Sequence, residues 1–586
     1  MTRIVQSDFM RKMRFFALAA LLCALLLPIE AREPVRARSA MVVAQEPIAT
    51  DVGVSVLKAG GNAIDAAVAV AFALAVTHPS AGNIGGGGFL LARFNDGRTT
   101  FIDFREMAPA SASRNMYIGP DGKPTRDSVT GWRASGIPGT VRGLELAHKK
   151  YGSKPWSALV EPAAALAANG ITLSYAEARS MCGSRRTMSP FPESNRIFLN
   201  NGACFEPGDK LVQPELAQVL RRIAAQGAKD FYEGTTASIL AEEMRKNGGT
   251  ITLADLRNYK AIERTALTGT YRNYTIITAP PPSSGGIGLL QMLGMLEGSG
   301  YEKPGAGSAS SSHYIAEVLR RYFADRSEFL GDTDFAKVPI KGLLDPAYIA
   351  SRRASINLDK ATPSTELGHG APAFEPTATT HFNVIDAQGN AVALTYTINN
   401  SYGSGVTVPR LGFLLNNEMD DFAAQPGAPN MFGLIQGEAN AIAPGKRPLS
   451  AMTPTIVLKD GKLFMALGAP GGPRIISGVL EVLINVLDFG MDIQQAVDQP
   501  RLHHQWMPDK LYLEPGFSPD TRALLAQRGH KLENITTVGS VEAIMVESPR
   551  TRAAGDATSR GAGVADKNSW LAAAQNGRSA GKAAGY

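Results

Sequence analysis

Metal-binding and nucleotide-binding patterns are the first things missing from this chain. Its 586 residues include three cysteines and eight histidines. None falls in a C-x-x-C or H-E-x-x-H cluster, so no metal is expected. His503 and His504 are adjacent, which on a strand sends them to opposite faces. The G-x-x-x-x-G-K-[ST] loop is also absent, which removes the cradle of a phosphate-binding motor. The glycine-rich turns "NIGGGGF" (83–89) and "GAPGGPR" (468–474) lack nucleotide-binding spacing, and no cofactor is expected. Charge of one sign is scarce as well: 59 basic against 53 acidic residues leave a formal charge of +6. That excess is small for the length, and no nucleic-acid partner is expected.

Two apolar runs occur: the Ala/Val run from Ala63 to Val76, interrupted by Asp65 and too short to span a bilayer, reads as a buried core helix, and the longer unbroken one lies at the N-terminus. Basic residues Arg11, Lys12 and Arg14 precede "FFALAALLCALLL" (15–27) and then "PIEA", which ends on small Ala31. The run is short for a spanning helix and has the layout of a cleaved export signal over residues 1–31. The mature protein is therefore expected to be periplasmic or secreted, with no membrane segment after signal removal. Cleavage would leave Cys182 and Cys204, which pair in an oxidising compartment or remain two free thiols.

Beyond the signal the chain is long enough for several domains or one large layered domain. The stretch 41–94 reads as helix, helix, glycine-rich turn and strand, with Asn62 placed to cap the second helix and Asp65 in its first turn. Helical patterns fill 140–260. A strand "LTGTYRNYTIITA" and the loop "PPPSSGGIG" follow, and then more helices. Residues 361–378, "ATPSTELGHGAPAFEPTA", have no periodicity and resemble an exposed, cleavable linker. From Thr379 the texture changes to hairpins, first "TTHFNVIDAQGNAVALTYTI" and then "TPTIVLKDGKLFMALGA", turning at "KDGK". A helix over "PRIISGVLEVLINVLDFG" comes next. Helices and hairpins in this order suggest a layered α/β domain rather than a doubly wound parallel sheet.

The hydrolase motif G-x-S-x-G occurs at 577–581, in an Ala/Gly-rich tail with no strand-turn-helix elbow, and reads as chance. Thr379 has two readings. Thr is a good strand former and often begins a hairpin. Cleavage before Thr379 would instead place a free α-amino base beside its own hydroxyl, a known nucleophile-and-base pairing.

Six motifs bear on that choice: "DFREMAPA" (103–110), "PPPSSGGIG" (280–288), "TTHFNVID" (379–386), "LLNNEMDDF" (414–422), "KRPLSAMTPTIV" (446–457) and "GAPGGPRI" (468–475). In this order the chain resembles the gamma-glutamyltransferase (gamma-glutamyl transpeptidase) family, bacterial type, over about Ala40 to Asp566. The resemblance implies an N-terminal nucleophile hydrolase with a four-layer αββα fold. It implies a precursor that cuts itself into a large subunit (32–378) and a small, catalytic subunit (379–586), which stay together as a heterodimer.

The same resemblance implies the site. Thr379 would attack the carbonyl of Ala378 in maturation and the gamma-glutamyl amide of glutathione or a related compound in turnover. Thr397 would orient it, and the backbone N–H groups of Gly471 and Gly472 would hold the oxyanion. Arg105 and Ser450 would receive the substrate's α-carboxylate, and Asn399, Glu418 and Asp421 its α-ammonium. Water or an acceptor amino acid or peptide would take the acyl group.

Three departures from the family pattern stand out. Ala451 occupies the place of a second serine, Phe432 that of a lid tyrosine, and the tail after Asp566 extends past the usual end. The alternative to this reading keeps the fold and the nucleophile and acts on glutaryl or other amides, as cephalosporin acylases do.

Overall fold

Period-2 segments rich in β-branched residues build two seven-stranded antiparallel sheets in the computed structural model, which describes residues 32–367, 379–428, 436–547 and 569–586. The expected signal (1–31), most of the linker before Thr379, and Phe432 of the expected lid lie outside the described residues. In chain order the sheet strands are β1 (Val35–Ala37), β2 (Met41–Ala44), β3 (Gly87–Arg93), β4 (Thr99–Asp103), β5 (Ile262–Arg264), β6 (Leu267–Tyr271) and β7 (Tyr274–Thr278). They continue as β8 (Thr379–Ile385), β9 (Ala391–Thr397), β10 (Thr455–Lys459), β11 (Lys462–Gly468), β12 (Glu542–Glu547), β13 (Trp570–Ala573) and β14 (Lys582–Gly585). One sheet runs β1-β13-β12-β11-β10-β7-β6 and the other β14-β2-β8-β9-β3-β4-β5.

The pleat decides what each sheet face touches. Along β8, Phe382 and Val384 pack toward helices α1 (Pro47–Lys58) and α2 (Ala63–Thr77), while Ile385 joins the core between the sheets. Thr379, His381 and Asn383 share the parity of Ile385 and face the other sheet. Every residue of α2 is buried, and a reciprocal Asn62/Asp65 capping box starts it. That satisfies its leading N–H groups in an environment where water cannot. On the far side, α3 (Gly285–Leu296), α4 (Ala309–Phe329) and α5 (Arg474–Leu487) cover the other sheet. The result is the expected four layers, helix–sheet–sheet–helix.

The hairpin β8–β9 is pinned at both ends. At the turn, the Asp386 carboxylate accepts from the N–H groups of Gln388 (2.9 Å) and Asn390 (3.0 Å) and from that of Ala63, at the start of α2 (2.9 Å). At the open end, Thr379 pairs with Thr397. The turn chemistry thus locks the register that sets two threonines side by side.

Two expectations are corrected. The segment 267–279 is a hairpin, β6–β7, rather than one strand; Arg272 at φ 51° makes the turn. Strand β2 precedes α1, because "MVVA" is buried between β8 and β14 before Pro47 opens the helix. The tail is built into the fold: β13 lies between β1 and β12, and β14 pairs with β2. Arg578 and Ser579 of "GRSAG" sit in the connection between these strands, and no helix follows them. Cys182 and Cys204 are joined in a disulfide. No described helix is long and apolar enough to cross a membrane.

Candidate active site

Thr379 heads β8 at the inner face of its sheet and is 8% exposed. Its Oγ stands 3.3 Å from the Oγ of Thr397, which accepts the backbone N–H of Asn399 at 2.8 Å. Asn399 adopts φ 70°, which turns the chain out of β9, and its side-chain amide donates to the carbonyl of Asn417 at 3.0 Å. This bond ties the end of β9 to the acidic turn Glu418–Asp421.

That turn meets Arg105, which leaves β4 through Asp103 and is 1% exposed. Its Nε donates to the carbonyl of Pro448 at 3.2 Å. Nη1 pairs with Glu418 and, at 3.3 Å, with Glu106, and Nη2 pairs with Asp421. One buried guanidinium thus faces three carboxylates. Burial alone would pull the Arg105 pKa down, but Glu418, Asp421 and Glu106 outweigh it and hold it above the ordinary value. Burial pushes all three acids up against the pull of Arg105, Glu106 to about 7. Such an excess of buried acid suits a cationic ligand group. Neighbouring Asp420 turns away and accepts from Ser128 at 2.8 Å.

Ser450 is set by a different crossing. Its N–H donates to Pro282 O and its carbonyl accepts from Ser284 N, both at 2.8 Å, so "PPPSS" and "PLSAM" run side by side. At the opposite wall, Gly471 (φ 139°) and Gly472 (φ 56°) turn just before α5. Neither amide N–H donates to an acceptor among the described residues. Exposed amides at the N-terminus of a 14-residue helix form a ready site for negative charge.

One pocket is lined by Thr379, Thr397, Arg105, Asn399, Glu418, Asp421, Ser450 and Gly472 together; Gly471 lines the adjoining cleft, which Thr379 shares. The structure brings all nine expected residues to one place. It adds Arg326, Gln436 and Ala451 to the pocket, and Glu106 to the ion cluster. Glu106 adjoins Arg105 in "FREMAP", a visible signal for a local ion pair. Arg326, in "RRYFADRSEF", reads as part of a helix's polar face, and nothing in the pattern marks it.

One cluster among the described residues has metal-ligand spacing: His313, Glu317 and His530, whose ligand atoms lie within 4.8 Å of one another. Its carboxylate already accepts from Arg320 (3.1 Å) and Arg321 (2.7 Å), and His313 Nδ1 and His530 Nε2 share a hydrogen bond of 2.8 Å. Two arginines on the acid make this a packed polar network.

A four-layer αββα sandwich with a threonine at the head of an inner-facing strand, beside a glycine turn whose amides have no acceptor among the described residues, is the architecture of the N-terminal nucleophile hydrolase class. The Gamma-glutamyltranspeptidase family model matches residues 49–566, and the chain belongs to that family. It is 50% identical over 516 residues to the glutathione hydrolase proenzyme of Escherichia coli K12, covering 88% of this chain and 89% of that one. Among solved structures, a cephalosporin acylase from Bacillus halodurans superposes with a TM-score of 0.80 at 26% identity, over 95% of this chain and 97% of that one. A gamma-glutamyltranspeptidase chain from Helicobacter pylori gives a TM-score of 0.55 at 41% identity, covering 58% of this chain and 97% of that one. Acylases share the fold and are more distant in sequence than the Escherichia coli hydrolase: the acylase ACY 1 proenzyme of Pseudomonas sp. SE83 is 38% identical over 510 residues, covering 86% of this chain and 88% of that one.

Proposed function

We propose that the protein is a gamma-glutamyltransferase and glutathione hydrolase, made as a precursor that cleaves itself before Thr379. The carrying observation is that one pocket joins a hydroxyl at a strand head to a buried cation, Arg105, and two acids, Glu418 and Asp421. Those charges complement the zwitterionic end of a gamma-glutamyl group, and a glutaryl group has no ammonium for the acids to meet. The activity named for the Escherichia coli relative supports the same choice.

In maturation, Thr379 Oγ attacks the carbonyl of Ala378, the peptide shifts to an ester, and water hydrolyses it, freeing the α-amino group of Thr379. In turnover, that amine takes the hydroxyl proton while Oγ bonds to the gamma-carbonyl carbon. Thr397 donates to Oγ and holds its direction. The N–H groups of Gly471 and Gly472 receive the oxyanion, an interaction worth about 3–4 kcal/mol per donor. The amine side departs with the proton, leaving a gamma-glutamyl ester on Thr379. Water or an acceptor amine then attacks the ester and regenerates the hydroxyl. Arg105 and Ser450 receive the α-carboxylate; Asn399, Glu418 and Asp421 receive the α-ammonium.

The two subunits, 32–378 and 379–586, remain a heterodimer in this reading. Sheet topology supports it: β2 of the large piece lies between β14 and β8 of the small one, and β13 of the small piece pairs with β1 of the large one. Separation would break ladders in both sheets. The share of the chain matched by the Helicobacter pylori protein is close to that of residues 32–378. Export behind the N-terminal signal completes the proposal.

The decisive experiment is a denaturing gel with N-terminal sequencing of the smaller fragment. The expected result is two fragments, the smaller beginning at Thr379, and one intact polypeptide without turnover for Thr379→Ala. A single uncut but active wild-type chain would overturn the proposal. Comparison of gamma-glutamyl and glutaryl anilides separates it from acylase activity, and preference for the glutaryl compound would decide against it.

A further inference from the structure

The pocket contains a second buried guanidinium that the reading above leaves unused. Arg326, on the last turn of α4, is 2% exposed and lines the pocket beside Thr379 and Ser450. Among the described residues it makes one hydrogen bond, from Nε to Ser284 Oγ at 2.9 Å, and its Nη1 is buried with no acceptor. No carboxylate lies within ion-pairing distance of it among these residues. An arginine carries five N–H donors, and one of them has a protein acceptor among the described residues. A buried charge in that state is costly unless something pairs with it.

Arg105 presents the opposite picture, with Nε on Pro448 and its Nη atoms on Glu418, Glu106 and Asp421. A carboxylate entering the pocket therefore meets one guanidinium largely satisfied by acids and another with no ion pair, on which Asp421 acts only from beyond ion-pairing distance. The anchor of Arg326 is also informative. Ser284 Oγ, which receives Nε, donates to the carbonyl of Ser450 at 2.7 Å, so Arg326 is fixed to the crossing that places Ser450. Next in sequence, Ala451 presents a methyl group to the same pocket, where family resemblance leads one to expect a second hydroxyl donor.

We propose that Arg326 is a second cation for the α-carboxylate of the donor, facing Arg105 across it and supplying the donors that Ala451 lacks. This rests on the gamma-glutamyl reading of the pocket. Arg326 is a binding residue in this account and takes no proton.

The test compares two chromogenic anilides on self-cleaved enzyme: the gamma-glutamyl compound, and the 4-aminobutyryl compound, which differs by lacking the α-carboxylate. For Arg326→Gln, kcat/KM on the gamma-glutamyl anilide is expected to fall about 30-fold or more, the usual result of removing one partner of a buried charge pair. The 4-aminobutyryl rate should change less than about threefold, and Arg326→Lys should fall between. An equal loss on both donors, or an unmoved ratio in both variants, overturns the inference. If Arg326→Gln does not mature, the same ratio measured on Arg326→Lys decides. A wild type that turns over neither anilide, or a glutaryl anilide alone, overturns the gamma-glutamyl reading and this inference with it. An unmoved ratio on an active wild type counts against Arg326 alone.

Discussion

Thr379 Oγ and Thr397 Oγ stand 3.3 Å apart across the first rung of the β8–β9 hairpin, and the Asn399 N–H points at Thr397 from its other side, 2.8 Å away. A hydroxyl that accepts one bond keeps its proton free to donate, so Thr397 is placed to direct the Thr379 lone pairs. Thr397→Val keeps the shape and removes the relay. Loss of one buried hydrogen bond costs about 1–3 kcal/mol, so kcat on a gamma-glutamyl anilide is expected to fall about 10- to 100-fold, with donor KM little changed. Steady-state kinetics on processed enzyme provide the check. A change confined to KM would assign Thr397 to binding instead.

Three acids around one guanidinium make donor binding sensitive to pH. Burial raises Glu418 and Asp421 and takes Glu106 to about 7, so all three acids take up protons at higher pH than ordinary carboxylates, Glu106 near neutrality. A protonated acid no longer attracts an α-ammonium, and donor KM is expected to rise between about pH 8 and 6. Glu106 also pushes Glu418 up by like-charge repulsion. Glu106→Gln should therefore move the KM–pH curve to lower pH. A KM profile from pH 5.5 to 9 on both proteins tests this, and an unshifted curve would remove Glu106 from the binding equilibrium.

Strand texture and turn residues made the two C-terminal hairpins legible, because alternation and "KDGK" or "DAQGN" act locally. Thr379 at the head of its strand was legible for the same reason, although its partner across the rung and the depth of its pocket were not. The hairpin at 267–278 was hidden because its turn is Arg272-Asn273, without the usual glycine. Arg326 was hidden for a different reason: helical spacing tells which residues share a face, and only the packing of α4 against "PPPSS" shows that this polar face is buried. The same limit applied to the tail strands β13 and β14, whose partners β1 and β2 lie hundreds of residues away.

Glu542 on β12 is buried, and its Oε2 has no hydrogen-bond partner among the described residues. Burial pushes its pKa to about 8, against the pull of Ser579 and Asn576. A carboxyl whose pKa is higher folded than unfolded binds more protons in the folded state, so stability falls as pH rises between the two values. The affected window runs from about 4.5 to about 8. Glu542→Gln should match the parent near pH 4.5 and melt at a higher temperature at pH 9, the gap opening across that window. Thermal melts at four pH values measure it. A constant offset at every pH would mean that the side chain's packing, not its ionisation, sets the effect.

Gly468 ends β11 directly opposite His381, two residues along from Thr379. A Cβ at Gly468 would lie 2.3 Å from His381 Cε1 and 2.5 Å from Nδ1. The ring cannot easily retreat: Nδ1 is 2.8 Å from Thr395 Oγ and Nε2 is 3.1 Å from Asn383 Oδ1, and burial keeps the imidazole neutral by lowering its pKa to about 3. Gly468→Ala must therefore push the two sheets apart or tilt β8, moving the head of the strand that carries Thr379. Overpacking of this kind costs about 1–3 kcal/mol, and self-cleavage, which depends on the position of Thr379, should slow as well. His381→Ala on that background opens the space again, so the double variant should be less destabilised than the two single changes predict together. A double-mutant cycle on chemical unfolding, with the rate of fragment appearance on gels as a second readout, tests both parts. Additive losses would show that the Gly468–His381 contact does not set the spacing of the sheets at the nucleophile.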